Sequence, residues 1–124
     1  MAVELVNWLE IPVLDMERAR RFYEAVLDCK IVDMEVGDEI YPCIPNKNDD
    51  GFSGALVQYD FRKPGNDGPL VYLTASPDVE TMVKRILEAG GSIIKERTEI
   101  APGFGFFSMF RDSEGNTLAI QGDK

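Results

Sequence analysis

The side chains able to do chemistry in this chain are few, and their types exclude more than they permit. There is no histidine among the 124 residues, which removes both the usual general base at neutral pH and the commonest nitrogen ligand of a metal. The two cysteines, Cys29 and Cys43, stand apart with no CxxC spacing, and without a histidine neither has a partner to activate it as a nucleophile. What remains is Trp8 and Glu10, two residues apart in an alternating stretch and therefore on one side of a strand. A ring face beside a carboxylate suits holding a positive or aromatic group, or moving a proton.

The elements that position these residues follow from periodicity. Met1 to Pro12 alternates as a strand, with Val3, Leu5, Leu9 and Ile11 toward a core and Val6, Trp8 and Glu10 on the other side. Asp15 caps a helix in which Met16, Ala19, Phe22, Tyr23 and Val26 recur at helical spacing, ending near Asp28. Strands are expected over Lys30 to Glu35, Glu39 to Ile44 and Phe52 to Tyr59, separated by Gly37-Asp38 and by the polar turn from Pro45 to Gly51. The segment Arg62 to Pro69, with two prolines and two glycines, is the strongest break in the chain.

Beyond that break the order returns. Leu70 to Ala75 reads as a strand. Asp78 opens a helix with the apolar face Val79, Met82, Val83, Ile86 and Ala89, which Gly90-Gly91 stops. Ser92 to Glu96, Gly105 to Arg111 and Thr117 to Gln121 follow as strands, with Gly115-Asn116 turning between the last two. An offset of 63 residues lays Asp15 on Asp78, Met16 on Val79, Ala19 on Met82 and Tyr23 on Ile86. The chain thus reads as an α+β fold of two βαβββ modules, at about 1–61 and 70–124, joined by a linker at about 62–69. Neither half alone can bury both its helix and its strand face, so the two should assemble as one domain.

Composition narrows the partners. Twenty-two acidic against thirteen basic residues give a net charge of −9, which repels phosphate backbones and argues against nucleic acid. No apolar run approaches the ~20 residues that span a bilayer, and the start carries no signal-like segment. A cytoplasmic chain with reduced thiols is expected.

The stretch Glu10-Ile11-Pro12-Val13-Leu14-Asp15 followed by a helix bearing Phe22-Tyr23 resembles the opening signature of the vicinal-oxygen-chelate superfamily, the glyoxalase and bleomycin-resistance type. Phe107-Ser108-Met109-Phe110-Arg111-Asp112-Ser113-Glu114-Gly115-Asn116 resembles its closing signature, and Ala89-Gly90-Gly91 its second helix end. The resemblance implies mixed sheets curving into a cup. In the enzymes of that superfamily, His and Glu residues on the first and fourth strands of each module hold a divalent metal. Carried onto this chain, the ligand positions fall on Trp8, on Leu56 or Gln58, on Tyr72 or Val71, and on Ala119. None of these is a customary metal ligand, so no metal and no cofactor are expected.

The cup side would then collect Trp8, Glu10, Gln58, Tyr72, Thr74, Ala119 and Gln121, with Arg111 near the mouth. Trp8 and Tyr72 offer ring faces to a ligand, Glu10 a charge, Gln58 and Gln121 amide hydrogen bonds; the two rings would equally serve to fill the space a metal leaves. Phe104, Phe106 and Phe107 are expected in the core or an interface, or at the mouth. The first reading is a metal-free protein that binds a small aromatic or cationic molecule. The alternative is an enzyme of the superfamily, metal-independent with Glu10 as general acid or base, or with an unrecognised metal site. A regulatory or partner-binding module is the third. A homodimer is expected in each case, since members commonly pair.

Overall fold

The structure, a computed structural model, describes residues 2–124. The first half runs β1 (Leu9–Pro12), α1 (Met16–Leu27), β2 (Val32–Val36), β3 (Glu39–Pro45) and β4 (Phe52–Val57). The second runs β5 (Tyr72–Thr74), α2 (Val79–Glu88), β6 (Ser92–Glu99), β7 (Phe106–Arg111) and β8 (Thr117–Gly122). The first sheet has the order β1-β4-β3-β2 and the second β5-β8-β7-β6, the same arrangement twice. In each, the strand before the helix joins the last strand in parallel and the remaining pairs are antiparallel. This is the expected tandem α+β fold.

The helices form for the reasons their sequences suggest. The Asp15 carboxylate accepts the Arg18 N–H at 3.0 Å and that of Asp78 accepts the Thr81 N–H at 2.7 Å, each satisfying a donor that the first turn leaves unpaired. Asp28 ends α1 in the left-handed region (φ 51°), and Gly90 (φ 102°) follows α2. Ala19, Phe22, Tyr23 and Val26 bury one face of α1, and Val79, Met82 and Ile86 one face of α2. These stripes meet one another and the inner sides of both sheets in a single core with Ile11, Leu56, Phe110 and Ile120. Phe22 sits at its centre, edge-on to Tyr23 (4.9 Å) and stacked with Phe110 of the other half (6.5 Å).

Two differences from expectation stand out. The first strand begins at Leu9, so Val3 and Leu5, taken as core-facing, are 82% and 89% exposed; Met1, where that strand was expected to start, lies outside the described residues. The reason is the partner: β4 begins at Phe52 and pairs with β1 only from Gly54 onward, so the alternation in residues 2–7 has no neighbouring strand to bury it. Gly54 is required there, because a Cβ at that position would come within 1.9 Å of the Leu9 carbonyl oxygen. The second difference is β6, which continues past Glu96 to Glu99 because Thr98 and Glu99 pair with Phe107 and Phe106. Its charged side chains suit an outer strand that must not recruit another.

Candidate functional site

The strand pairings decide which residues share a face. On the first sheet, Glu10 lies opposite Ala55, Ala55 opposite Cys43, and Tyr41 opposite Met34. That face, turned away from the helices, therefore carries Trp8, Glu10, Tyr41, Cys43, Ala55, Val57 and, just past β4, Tyr59. Cys43, Ala55 and Val57 form a buried floor beneath Tyr41, Phe52 and Tyr59. Glu10 Oε2 accepts the indole N–H of Trp8 at 3.2 Å and the Tyr59 hydroxyl at 3.1 Å. The Tyr41 hydroxyl stands 3.5 Å from that of Tyr59. The Tyr41 hydrogen bond, burial and the Glu10 carboxylate together push the Tyr59 phenol well above its usual range.

Leu56 and Gln58, expected on this face, are on the opposite one. Leu56 is fully buried in the core, and Gln58 Nε2 donates to the Leu14 carbonyl at 3.0 Å. Alternation along β4 was correctly read, but with the wrong phase; Tyr59 occupies the side assigned to Gln58. Tyr41 and Tyr59 are thus the residues that sequence reasoning passed over, although the spacing Ala55, Val57, Tyr59 was there to point at the second.

On the second sheet, Tyr72 lies opposite Ala119 and Thr74 opposite Gln121, while Phe107, Met109 and Arg111 of β7 continue the same face. Ala119 is fully buried; Tyr72, Thr74, Gln121 and Arg111 are exposed. The Tyr72 and Phe107 rings tilt together at 6.2 Å. A cleft of about 440 Å³ opens beside them, lined by Tyr72, Thr74, Pro77, Phe104, Gln121 and Lys124 among others. Phe106 instead packs on the core with the Arg97 guanidinium 3.7 Å above its ring. The single cup expected to gather Trp8 and Glu10 with Tyr72 and Gln121 is divided within one chain: β1 and β5 are open edges of separate sheets, and no strand pairing joins them.

A metal does not fit this donor set. Among the described residues no three His, Cys, Asp or Glu side chains converge. At the carried-over ligand positions, Trp8 presents an N–H donor already bound to Glu10, and Ala119 presents a methyl group. Neither thiol is activated: burial raises Cys43, with Asp33 adding to it, and burial raises Cys29, with Glu24 and Asp28 adding.

The two sequence signatures meet at the seam between the halves. Glu114, in the β7–β8 turn, accepts the N–H groups of Leu14 and Asp15 on Oε1 (2.8 Å each) and the Arg18 guanidinium on both oxygens (2.8 and 3.0 Å). Burial opposes its charge, but Arg18, the Asp15 N–H, the Ser113 hydroxyl and the Leu14 N–H outweigh it and hold Glu114 at about 2. Asp112 accepts the buried Tyr23 hydroxyl and the Glu114 and Asn116 N–H groups, and Asn116 Nδ2 donates to the Pro12 carbonyl at 2.8 Å. Gly115 (φ 94°) makes the turn possible. Among the described residues no buried side-chain polar atom lacks a partner.

The family comparisons agree with this geometry. A family model of the Glyoxalase/Bleomycin resistance protein/Dioxygenase superfamily matches residues 5–120. No curated protein matches the chain. Among solved structures, a member of that superfamily from Sphaerobacter thermophilus DSM 20745 is similar at 23% identity, covering 96% of this chain and 97% of its own, with a TM-score of 0.71. TnmS3, an antibiotic binding protein from Streptomyces sp. CB03234, is similar at 23% identity over 98% and 97%, with a TM-score of 0.68. A glyoxalase-related enzyme from Fulvimarina pelagi is similar at 17% identity over 96% and 88%, with a TM-score of 0.67. With the opening and closing signatures locked together across the seam of a twice-repeated βαβββ unit, the chain belongs to the glyoxalase/bleomycin resistance protein/dioxygenase superfamily.

Proposed function

We propose that this protein binds a small aromatic or positively charged molecule without the help of a metal. The observation that carries the reading is what stands at the superfamily's metal positions: Tyr72 and Ala119 lie side by side, and Tyr72 borders a cleft of about 440 Å³ with a second ring, Phe104, and the polar groups of Thr74 and Gln121. Aromatic walls with a few polar groups and a volume of this size suit a small organic ligand. The fold also occurs in a Streptomyces antibiotic binding protein, where binding is itself the function named. Calorimetric titration with planar aromatic compounds, with and without chelator, is the test. Binding indifferent to chelator and weakened about tenfold by Tyr72→Ala supports the reading; binding that appears only on adding Zn²⁺ or Ni²⁺ overturns it.

The same proposal places the protein in the cytoplasm as a homodimer. Its modules, residues 1–61 and 70–124 about the 62–69 linker, each leave an open sheet edge, β1 in one and β5 in the other. Setting β1 of one copy beside β5 of another would put Trp8 and Glu10 on one surface with Tyr72 and Gln121. Light scattering on the eluting protein at micromolar concentration should give twice the chain mass of 13.9 kDa; a strict monomer removes the dimer.

A further inference from the structure

The carboxylate of Glu10 is placed in an unusual way for a charged group on an apolar sheet face. Its Oε2 takes the Trp8 N–H and the Tyr59 O–H, and no donor among the described residues reaches Oε1. None of the ion pairs of the described residues involves it. Around it stand Trp8, 41% exposed, Tyr41 and Tyr59, and Phe61 stacks on Tyr59 at 4.8 Å with ring planes 14° apart. The floor beneath, Cys43, Ala55 and Val57, adds no charged group.

Such a site has a negative charge fixed by two aromatic donors, ring faces beside it, and no ion-pair partner among the described residues. A neutral or anionic ligand here would strip water from the carboxylate and return nothing for it. A metal ion needs three or more donors, and no such group converges among the described residues. A primary ammonium must replace three strong hydrogen bonds to water, with one free carboxylate oxygen to accept them. A tertiary or quaternary alkylammonium has a diffuse charge and apolar methyl groups, which ring faces and one carboxylate match together.

Resting on the reading of the sheet faces as ligand surfaces, we infer that Glu10, Trp8, Tyr41 and Tyr59 form a receptor for the alkylated ammonium group of the ligand. The surplus of acidic residues, net charge −9, adds long-range attraction for the same sign.

Trp8 is the only tryptophan, so its emission reports the site directly. The full chain is titrated with choline and with its uncharged carbon analogue, dimethylbutanol. A saturable change with choline, at least about tenfold tighter than with dimethylbutanol, is expected. Glu10→Gln, which keeps an acceptor for Trp8 and Tyr59, should remove most of that preference while leaving circular dichroism unchanged. Should that variant not fold, salt supplies the second measurement: choline affinity of the unaltered protein falls as ionic strength rises and dimethylbutanol affinity does not. Equal affinity for the two probes, a preference that survives both Glu10→Gln and high salt, or no response to choline overturns the ammonium site. Each of those results leaves the Tyr72 cleft to be judged by its own titration, so the two proposals fail separately.

Discussion

The seam between the halves and the two outer sheet faces are built on opposite terms. At the seam every buried side-chain polar atom of the described residues is matched: Glu114 holds two backbone N–H groups and a guanidinium, Asp112 holds a buried phenol, and Phe22 fills the space between two helices and a strand. On the faces, Glu10 keeps an oxygen that no donor among the described residues reaches, Tyr72 is 48% exposed and Trp8 41% exposed. The difference teaches where stability and recognition reside in this chain. Groups that are fully satisfied by the protein have nothing left to offer a ligand, and groups left unsatisfied contribute little to folding.

That contrast makes an ordered set of expectations, read as changes in unfolding free energy by urea titration. Phe22→Ala, at the centre of the seam, should cost the most, about 3–5 kcal/mol, through lost burial and a cavity the fixed helices cannot close. Glu114→Gln comes next, at about 2–3 kcal/mol. Removing one member of a wholly buried pair costs about 3–5 kcal/mol, but the Arg18 side chain is 45% exposed and water takes up part of its charge. A cost below about 1 kcal/mol would break the comparison, since the seam would then be no better tied than a surface pair.

The same carboxylate sharpens the comparison through pH. Its folded value of about 2 lies below the ordinary 4.5, so as pH falls the unfolded chain takes up this proton first. The contribution is complete above about pH 4.5 and disappears as pH approaches 2. The stability gap between the unaltered protein and Glu114→Gln should therefore be constant from pH 7 to 5 and narrow below that; a gap that stays constant down to pH 2 assigns the cost to packing alone. Tyr23→Phe should cost about 1–2 kcal/mol, because Asp112 loses one buried donor and keeps the others. Trp8→Ala should be smallest, within about 0.5 kcal/mol in stability, while abolishing the emission signal and weakening binding of any ligand on that face.

Much of this molecule was legible beforehand because it depends on local chemistry. Asp15 and Asp78 cap their helices where a short acceptor precedes an apolar stripe. Residues 2–7 were misread because alternation reports a strand's two sides but not whether another strand lies alongside. Gln58 was misplaced because a one-residue error in phase exchanges the two faces of a strand, and only the pairing of Ala55 with Cys43 and Glu10 sets that phase.

By itself, then, the sequence determined the twice-repeated βαβββ order, the helix limits and the two signatures, all properties of residue type and short spacing. The tertiary structure alone decided that Glu114 reaches across 100 residues to Leu14. It alone decided that Tyr41 and Tyr59 join Trp8 and Glu10, and that these stand on a different sheet from Tyr72 and Gln121. The physical reason is common to all three: they depend on which distant strands lie side by side, and that is chosen by burial of the whole core, to which no single segment holds the information.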